Sequence, residues 1–395
     1  MGSVFTGDPR PRIVHLDHTT VRGGAELALV RLLSARTDWR AEVLLPASDP
    51  DDVFALLPAD VPRLFAGVRQ LAGGSGTSPV RLLGLGARLT AQAAATRWHR
   101  AVLRSDLVVA NSTRAAAYGA LAVRASARPF VVHIRDMVDL QSLGAFGYRL
   151  MTRLILPRAD GVVANSRITL ESARPFVRED AVAVSIPSAA GIRTGVAAKR
   201  VDGPLRIGML ARIDPWKGQR ELLEAFALAF PDGDAQLELV GGAPFEHEDF
   251  AGALRRRATE LGVAARVHLP GHVDDTAARI ATWDIAVQYS TRPEPLGQNV
   301  LQYLAGGAAT VVADEGGPTE WVDDGRNGLR VPPRSIPQLA EALRRLDADP
   351  DLRSRLSALA LRTPGLMDDD AVARAHGEAY GEVLTRRRQS AKALS

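Results

Sequence analysis

Two sets of short apolar runs, each alternating with longer segments of helical period, limit most strongly what this chain can fold into. The first set is Arg12 to Asp17, Ala41 to Leu45, Leu107 to Ala110, Phe130 to Ile134, Gly161 to Ala164 and Ala181 to Ile186. The second is Leu205 to Leu210, Ala235 to Val240, Val267 to Leu269, Ile285 to Tyr289, Ala309 to Ala313 and Gly328 to Val331. Runs this short and this apolar suit strands buried on both faces, and the segments between them suit helices that cross over between parallel strands. The expected class is α/β, with two doubly wound, parallel-sheet, Rossmann-like domains facing each other across a cleft. Pro187 to Pro204 is rich in Ala, Gly and Ser, which places the domains at 1–190 and 204–368 with 191–203 as linker. Residues 369–395 read as a final helix that either caps the second domain or crosses back onto the first. A length of 395 residues agrees with two domains, since single cores stop growing near roughly 250 to 300 residues.

Composition removes several chemistries. The chain has no cysteine, so thiolate nucleophiles, disulfides and iron–sulfur clusters drop out. The longest charge-free stretch, Leu296 to Ala313, carries Gln298, Asn299, Gln302 and three glycines, and so fails as a membrane span. Residues 1–12 contain no apolar core of a signal peptide, and the expected location is cytoplasmic. Residues 1–190 hold 23 arginines against 16 acidic residues, a net of +7 within an overall +4. No basic cluster with interleaved aromatics accompanies this excess, so nucleic acid is not an expected partner. The segment 81–104 sets Leu82, Leu83, Leu85, Leu89, Trp98, Val102 and Leu103 among five arginines. It suits either packing on the first sheet or peripheral contact with an anionic membrane.

Two stretches carry chemistry. In residues 208–230 a buried run leads into a loop with Arg212 and Lys217, then Gly218 at the mouth of an amphipathic helix. Free backbone N–H groups and the helix dipole there favour an anion, and two cations suit a diphosphate; the bland alternative is a pair of surface cations beside a turn. In residues 292–332, Glu294 follows a run, a helix should begin near Gly297, and Gln302 lies eight positions after Glu294. A carboxylate together with the amides of Leu296, Gly297, Gln298 and Asn299 can bind hydroxyls and phosphate at one helix start. On spacing alone Glu294 is equally a helix-capping acid. Glu315, Gly316 and Gly317 form a further turn where glycine permits close backbone approach.

These stretches, with LELVGG at 237–242 and VHLPGHVDD at 267–275, resemble the nucleotide-sugar domain of retaining glycosyltransferases of family 4, which have the GT-B fold. The resemblance implies that Arg212 and Lys217 contact the donor diphosphate and that Glu294 contacts the transferred sugar. It implies also that Leu296 to Asn299 hold sugar and phosphate, and that the loop at His272 and Val273 holds the base. Gln302 stands where relatives commonly have a second glutamate that contacts the ribose. In the first half, Gly23 and Gly24 after the first run resemble the family's loop that approaches the donor phosphates. PFVVHIRD, residues 129–136, resembles the strand that ends in an active-site histidine; alignment places Arg135 at that position and His133 two residues earlier. Alternation puts both on one face, where His133 is either a cleft residue or a satisfied buried histidine. Asp17, His18 and Asp136 fall near predicted strand ends as candidate acceptor contacts.

The activity implied is metal-independent sugar transfer with retention, from a nucleoside-diphosphate sugar to a small-molecule acceptor such as an aminocyclitol. Catalytic roles fall to Glu294, Arg212, Lys217, His133 and Arg135. No cofactor or metal is expected beyond the sugar nucleotide as co-substrate. The alternatives are a lipid-linked envelope acceptor at the membrane surface, or a nucleotide-sugar-binding protein without transfer.

Overall fold

The computed structural model describes residues 8–46, 52–68, 79–124, 126, 128–192, 203–243 and 248–393. The chain forms two compact units, one of Met1–Ser188 with Asp369–Ser395 and one of Ala189–Asp368.

The first unit is built on a seven-stranded sheet of β1 (Arg12–Leu16), β2 (Arg40–Leu45), β3 (Arg63–Phe65), β4 (Leu107–Ala110), β5 (Phe130–Ile134), β6 (Gly161–Ala164) and β7 (Val182–Ser185). The order is β3-β2-β1-β4-β5-β6-β7, and every pairing is parallel. β4, β5 and β6 are buried along their whole length. Continuous apolar runs are what a sheet covered on both faces requires. β3 escaped the sequence reading because it is a short edge strand with Arg63 and Phe65 exposed; an edge needs the ladder of one neighbour and little burial. The 25-residue helix Asp369–Ala393 belongs to this unit. Val372, Ala373, His376, Ala379, Tyr380 and Val383 are its buried side chains. A Cβ on Gly161 of β6 would stand 2.7 Å from Val383, so glycine there lets the helix lie close.

The second unit has six parallel strands: β8 (Arg206–Leu210), β9 (Gln236–Val240), β10 (Val267–Gly271), β11 (Ile285–Gln288), β12 (Ala309–Ala313) and β13 (Leu329–Val331). Their order is β10-β9-β8-β11-β12-β13. Gly208 on β8 makes room for the indole of Trp283, into which a Cβ would run at 2.0 Å. The unit begins earlier than the sequence reading placed it. Ala190 is buried against Leu296, Leu301 and Ala305, and Gln298 Nε2 donates to the Ala189 carbonyl at 2.8 Å. Small side chains that read as linker composition are here what fits against a helix; residues 193–202 of the expected linker lie outside the described residues.

In each sheet the order reverses between two central strands, β1 and β4 in one and β8 and β11 in the other. Ligands of open α/β sheets bind beyond the carboxyl ends at such reversals. The chain leaves β1 into Asp17 and His18, β4 into Asn111 and Ser112, β8 into Arg212, and β11 into Ser290 and Glu294.

Candidate functional site

At the reversal of the second sheet, a short turn Pro215–Lys217 ends in Gly218, whose φ of +82° opens the helix Gln219–Ala229. A Cβ on Gly218 would lie 1.8 Å from the Tyr289 carbonyl oxygen, so only glycine lets this turn sit against the end of β11. Lys217 Nζ donates to both carboxylate oxygens of Glu294 at 2.8 Å. Ser290 Oγ donates to Glu294 Oε2 at 2.8 Å and accepts from Gln288 Nε2 at 2.9 Å. The Lys217 and Glu294 side chains are 18% and 14% exposed, which strengthens the pair relative to one in open water. Arg212 turns to Asp214, with Nη2 2.9 Å from Oδ2, and is 59% exposed. Arg212 and Lys217 are therefore each paired with an acid beside the turn.

The helix Gln298–Ala305 starts at Gly297, with φ +74° and no side-chain cap. Glu294 is thus no capping acid; its carboxylate accepts from Lys217 and Ser290. The segment that follows is fixed through its backbone: Gly317 N–H donates to the Glu294 carbonyl at 2.7 Å. A Cβ on Gly316 would meet that carbonyl at 2.6 Å, and one on Gly317 the Pro295 carbonyl at 2.4 Å. The side chains of Gln298 and Asn299 are turned to carbonyls of their own unit, at Ala189 and at Leu210 respectively. Leu296 is buried in apolar surroundings. Gln302 is buried too, while Val273 packs against the apolar cluster that includes Trp283 and Tyr303. His272 is exposed, 3.5 Å from Asp274.

The reversal of the first sheet is a network of shared polar groups. The buried Asp17 accepts from Asn111 Nδ2 at 2.6 Å and from the His18 N–H at 2.7 Å. His18 Nδ1 lies 2.8 Å from Ser112 Oγ. Asn111 Oδ1 accepts from Arg135 at 2.7 and 3.2 Å, and Arg135 reaches Ser188 Oγ at 3.3 Å. Gly23 caps the helix Gly24–Ser34, and a Cβ on it would lie 2.3 Å from Glu26 Oε2, whereas one on Gly24 would meet nothing. Burial, and then the neighbouring Asp17, push the Glu26 carboxyl up to about 7. Asp136 is exposed. The sequence reading expected no metal ligand set. Ligand atoms of Asp17, His18 and Glu26 nevertheless lie within 4.8 Å of one another, with the Arg135 guanidinium joined to them through Asn111 as a compensating charge.

His133 is the clearest correction to the catalytic set. Its Nε2 lies 2.8 Å from the Tyr380 hydroxyl and its ring stacks on Tyr380 at 6.1 Å, beneath the final helix. Alternation along β5 is kept, yet the helix covers His133 and leaves Arg135, one turn of the strand further, at the carboxyl end. His133 is a buried packing residue, the second of the two readings that the sequence left open.

Sequence reasoning missed Ser290, Trp216, Arg292 and the roles of Asn111 and Asn165. A signal for the asparagines existed: VVANS occurs at 108–112 and again at 162–166. In both copies the serine caps the next helix, at Ala115 N–H and at Thr169 N–H, and both asparagines hold Arg135, one by its guanidinium and one, at 3.2 Å, by its carbonyl.

Residues 197–362 match the family model of glycosyl transferases group 1. The lipopolysaccharide core biosynthesis glycosyltransferase LpsE of Rhizobium meliloti is 38% identical over 156 residues, 40% of this chain and 43% of that protein. The alpha-D-kanosaminyltransferase of Streptomyces kanamyceticus is 31% identical over 39% of each chain. The chain thus spans about two fifths of the length of these relatives. Among solved structures, Anabaena Alr3699/HepE in complex with UDP and glucose superposes with a TM-score of 0.73 at 24% identity, over 98% of this chain and 99% of that one. The chain has the GT-B fold, and its second unit carries the match to the group 1 glycosyl transferases.

Proposed function

We propose that this protein is a retaining glycosyltransferase that moves a sugar from a nucleoside diphosphate to a hydroxyl of a small-molecule acceptor. The observation that carries the reading is the Lys217–Glu294 pair, 2.8 Å apart, at the sheet reversal of the segment that matches the family. Glu294 offers acceptor oxygens to sugar hydroxyls. Lys217, Arg212 and the N-terminus of the helix Gln219–Ala229 oppose the charge that grows on the departing phosphate. In the step proposed, the bond from the anomeric carbon to the phosphate oxygen breaks while the acceptor oxygen bonds to the same face of that carbon. The acceptor proton passes to the leaving phosphate. No metal has a part in this scheme; side chains and the helix N-terminus stand where one would. Asp17, His18 and Asp136 of the first unit are proposed to meet the acceptor, for which an aminocyclitol-like small molecule is the class proposed.

Thermal unfolding of the full chain against UDP, GDP, ADP and dTDP tests the donor reading. A ligand at a hundred times its Kd adds about 2.7 kcal/mol, so one diphosphate should raise the midpoint clearly. No shift with any of the four overturns the reading. A shift without transfer or hydrolysis across a broad acceptor panel would leave a nucleotide-sugar-binding protein.

A second acceptor class has one observation in its favour. The helices Pro79–Trp98 and Arg100–Arg104 expose Leu85, Trp98 and Leu103, with Arg97 5.5 Å over the Trp98 ring. No helix among the described residues is long and apolar enough to cross a membrane, yet arginines beside exposed Trp and Leu suit an anionic surface. Sedimentation with anionic vesicles at physiological salt separates the two, and absence of binding would remove the lipid-linked acceptor.

A further inference from the structure

The Lys217–Glu294 pair leaves a question of charge. Arg212 is matched by Asp214 and Lys217 by Glu294, so the two cations assigned to the diphosphate bring no net positive charge to it. A third cation stands beside them. The Arg292 guanidinium lies 4.1 Å from the centroid of the Trp216 ring, and Lys217 Nζ lies 3.8 Å from the same centroid, which bounds their separation at about 8 Å. Among the described residues Arg292 has no carboxylate partner and no hydrogen bond, and its guanidinium lies over the indole of Trp216.

The segment that carries Arg292 is held from both sides. The Thr291 N–H donates to the Trp216 carbonyl at 2.8 Å, Arg334 Nη1 donates to the Thr291 carbonyl at 2.9 Å, and Ser290 is tied to Glu294. A guanidinium stacked on an indole at the end of such a segment keeps all five donors while losing little freedom when it binds. A partly buried arginine with unused donors, two residues before Glu294, is a built receptor for an oxyanion.

We propose that Arg292 is a donor-binding residue of the second unit that takes an oxyanion of the sugar nucleotide, and that Trp216 positions it. This rests on the donor reading given above. The oxyanion has two sources of the same chemistry, a phosphate oxygen of the diphosphate or the carboxylate of an acidic sugar.

Isothermal titration of the full chain separates them. The wild type and the variants Arg292→Gln and Arg292→Lys are titrated with UDP, GDP, ADP and dTDP. For whichever binds, the parent nucleoside, the glucose ester and the glucuronate ester follow. Loss of one charge-assisted contact should weaken the diphosphate about tenfold or more in Arg292→Gln, with partial recovery in Arg292→Lys and no change for the nucleoside. Weakening confined to the glucuronate ester instead assigns the sugar acid as the source. Equal binding of every ligand by Arg292→Gln and wild type overturns the proposal, as does an equal loss for the nucleoside, which would mark a structural effect. Failure of the wild type to bind any nucleotide removes the donor reading itself, and this proposal with it.

Discussion

The two sheet reversals are built by different means. In the second unit the backbone does the shaping: three glycines, at 218, 316 and 317, stand where a Cβ would fall within 1.8 to 2.6 Å of a main-chain oxygen. The side chains there are few, paired and partly open to water. In the first unit side chains do the shaping. Asn111 joins Asp17 to Arg135, and beneath that layer lies a buried group of His15, Trp39, His133, His376 and Tyr380. Both ring nitrogens of His15, Nδ1 of His133 and Nε1 of Trp39 have no hydrogen-bond partner there. A backbone-built site tolerates side-chain exchange in stability but not the loss of a glycine; a side-chain network behaves the other way, and it responds to pH.

The largest effects expected would test the first half of that contrast. Lys217→Ala should lower transfer by about 10²- to 10³-fold, the usual cost of removing one donor to developing charge, with the unfolding midpoint little changed. Transfer at the wild-type rate would detach the diphosphate from Lys217. Gly218→Ala should destabilise by roughly 3 kcal/mol, since alanine is strained at positive φ and its Cβ meets a carbonyl. Urea unfolding measures this, and an unaltered midpoint would break the claim that backbone shapes the site.

The same contrast explains what could be read from the sequence. Continuous apolar runs announced strands such as β4, β5, β6 and β12 to the residue, because burial on both faces leaves a plain signal. The glycine turns around 218 and 316–317 were legible too, since close backbone approach restricts the residue type. Charge pairing was not. Nothing in the spacing of Lys217 and Glu294, 77 residues apart, says that they meet, and the stacking of Arg292 on Trp216 depends on how two loops lie. His133 failed for a related reason: strand periodicity gives a face, but a helix that starts more than 200 residues later decides whether that face is open.

Acid should find the first unit before the second. Burial lowers His15 to about 3 and His376 to about 4, and holds His133 well below its usual range; His376, Arg135 and His15 add positive charge around it. Below pH ~6.5 the unfolded chain takes up protons that these rings refuse, so each costs up to about 1.4 kcal/mol per pH unit as pH falls. Glu26 runs in the opposite sense. Its carboxyl, raised to about 7, contributes stability that is full below its unfolded value and is lost as pH rises through 7, so it offsets part of the histidine loss. The net expected is a fall of about 2 kcal/mol between pH 7.5 and 5.5. His15→Leu should flatten that slope and Glu26→Gln should steepen it. A urea midpoint that is constant over this range would show that the histidine layer does not govern stability.

The smallest effect belongs to Gln302, the one position at which the second unit departs from the motif it resembles. Its side chain is buried in the helix Gln298–Ala305, and an amide offers a ribose hydroxyl one acceptor oxygen without charge. Gln302→Glu adds an acceptor and a charge that must be desolvated unless the hydroxyl donates to it, so gain and cost nearly cancel. Nucleotide affinity should change by less than about tenfold, within the worth of one such hydrogen bond, and the choice of sugar should stay as it is, because sugar hydroxyls are assigned to Glu294. The variant without nucleotide should lose stability as pH rises, since a buried carboxyl is favoured in its neutral form. Competition titration with two sugar esters of one nucleotide decides the point. A reversed sugar preference at constant nucleotide affinity would place Gln302 at the sugar and leave the ribose to another group.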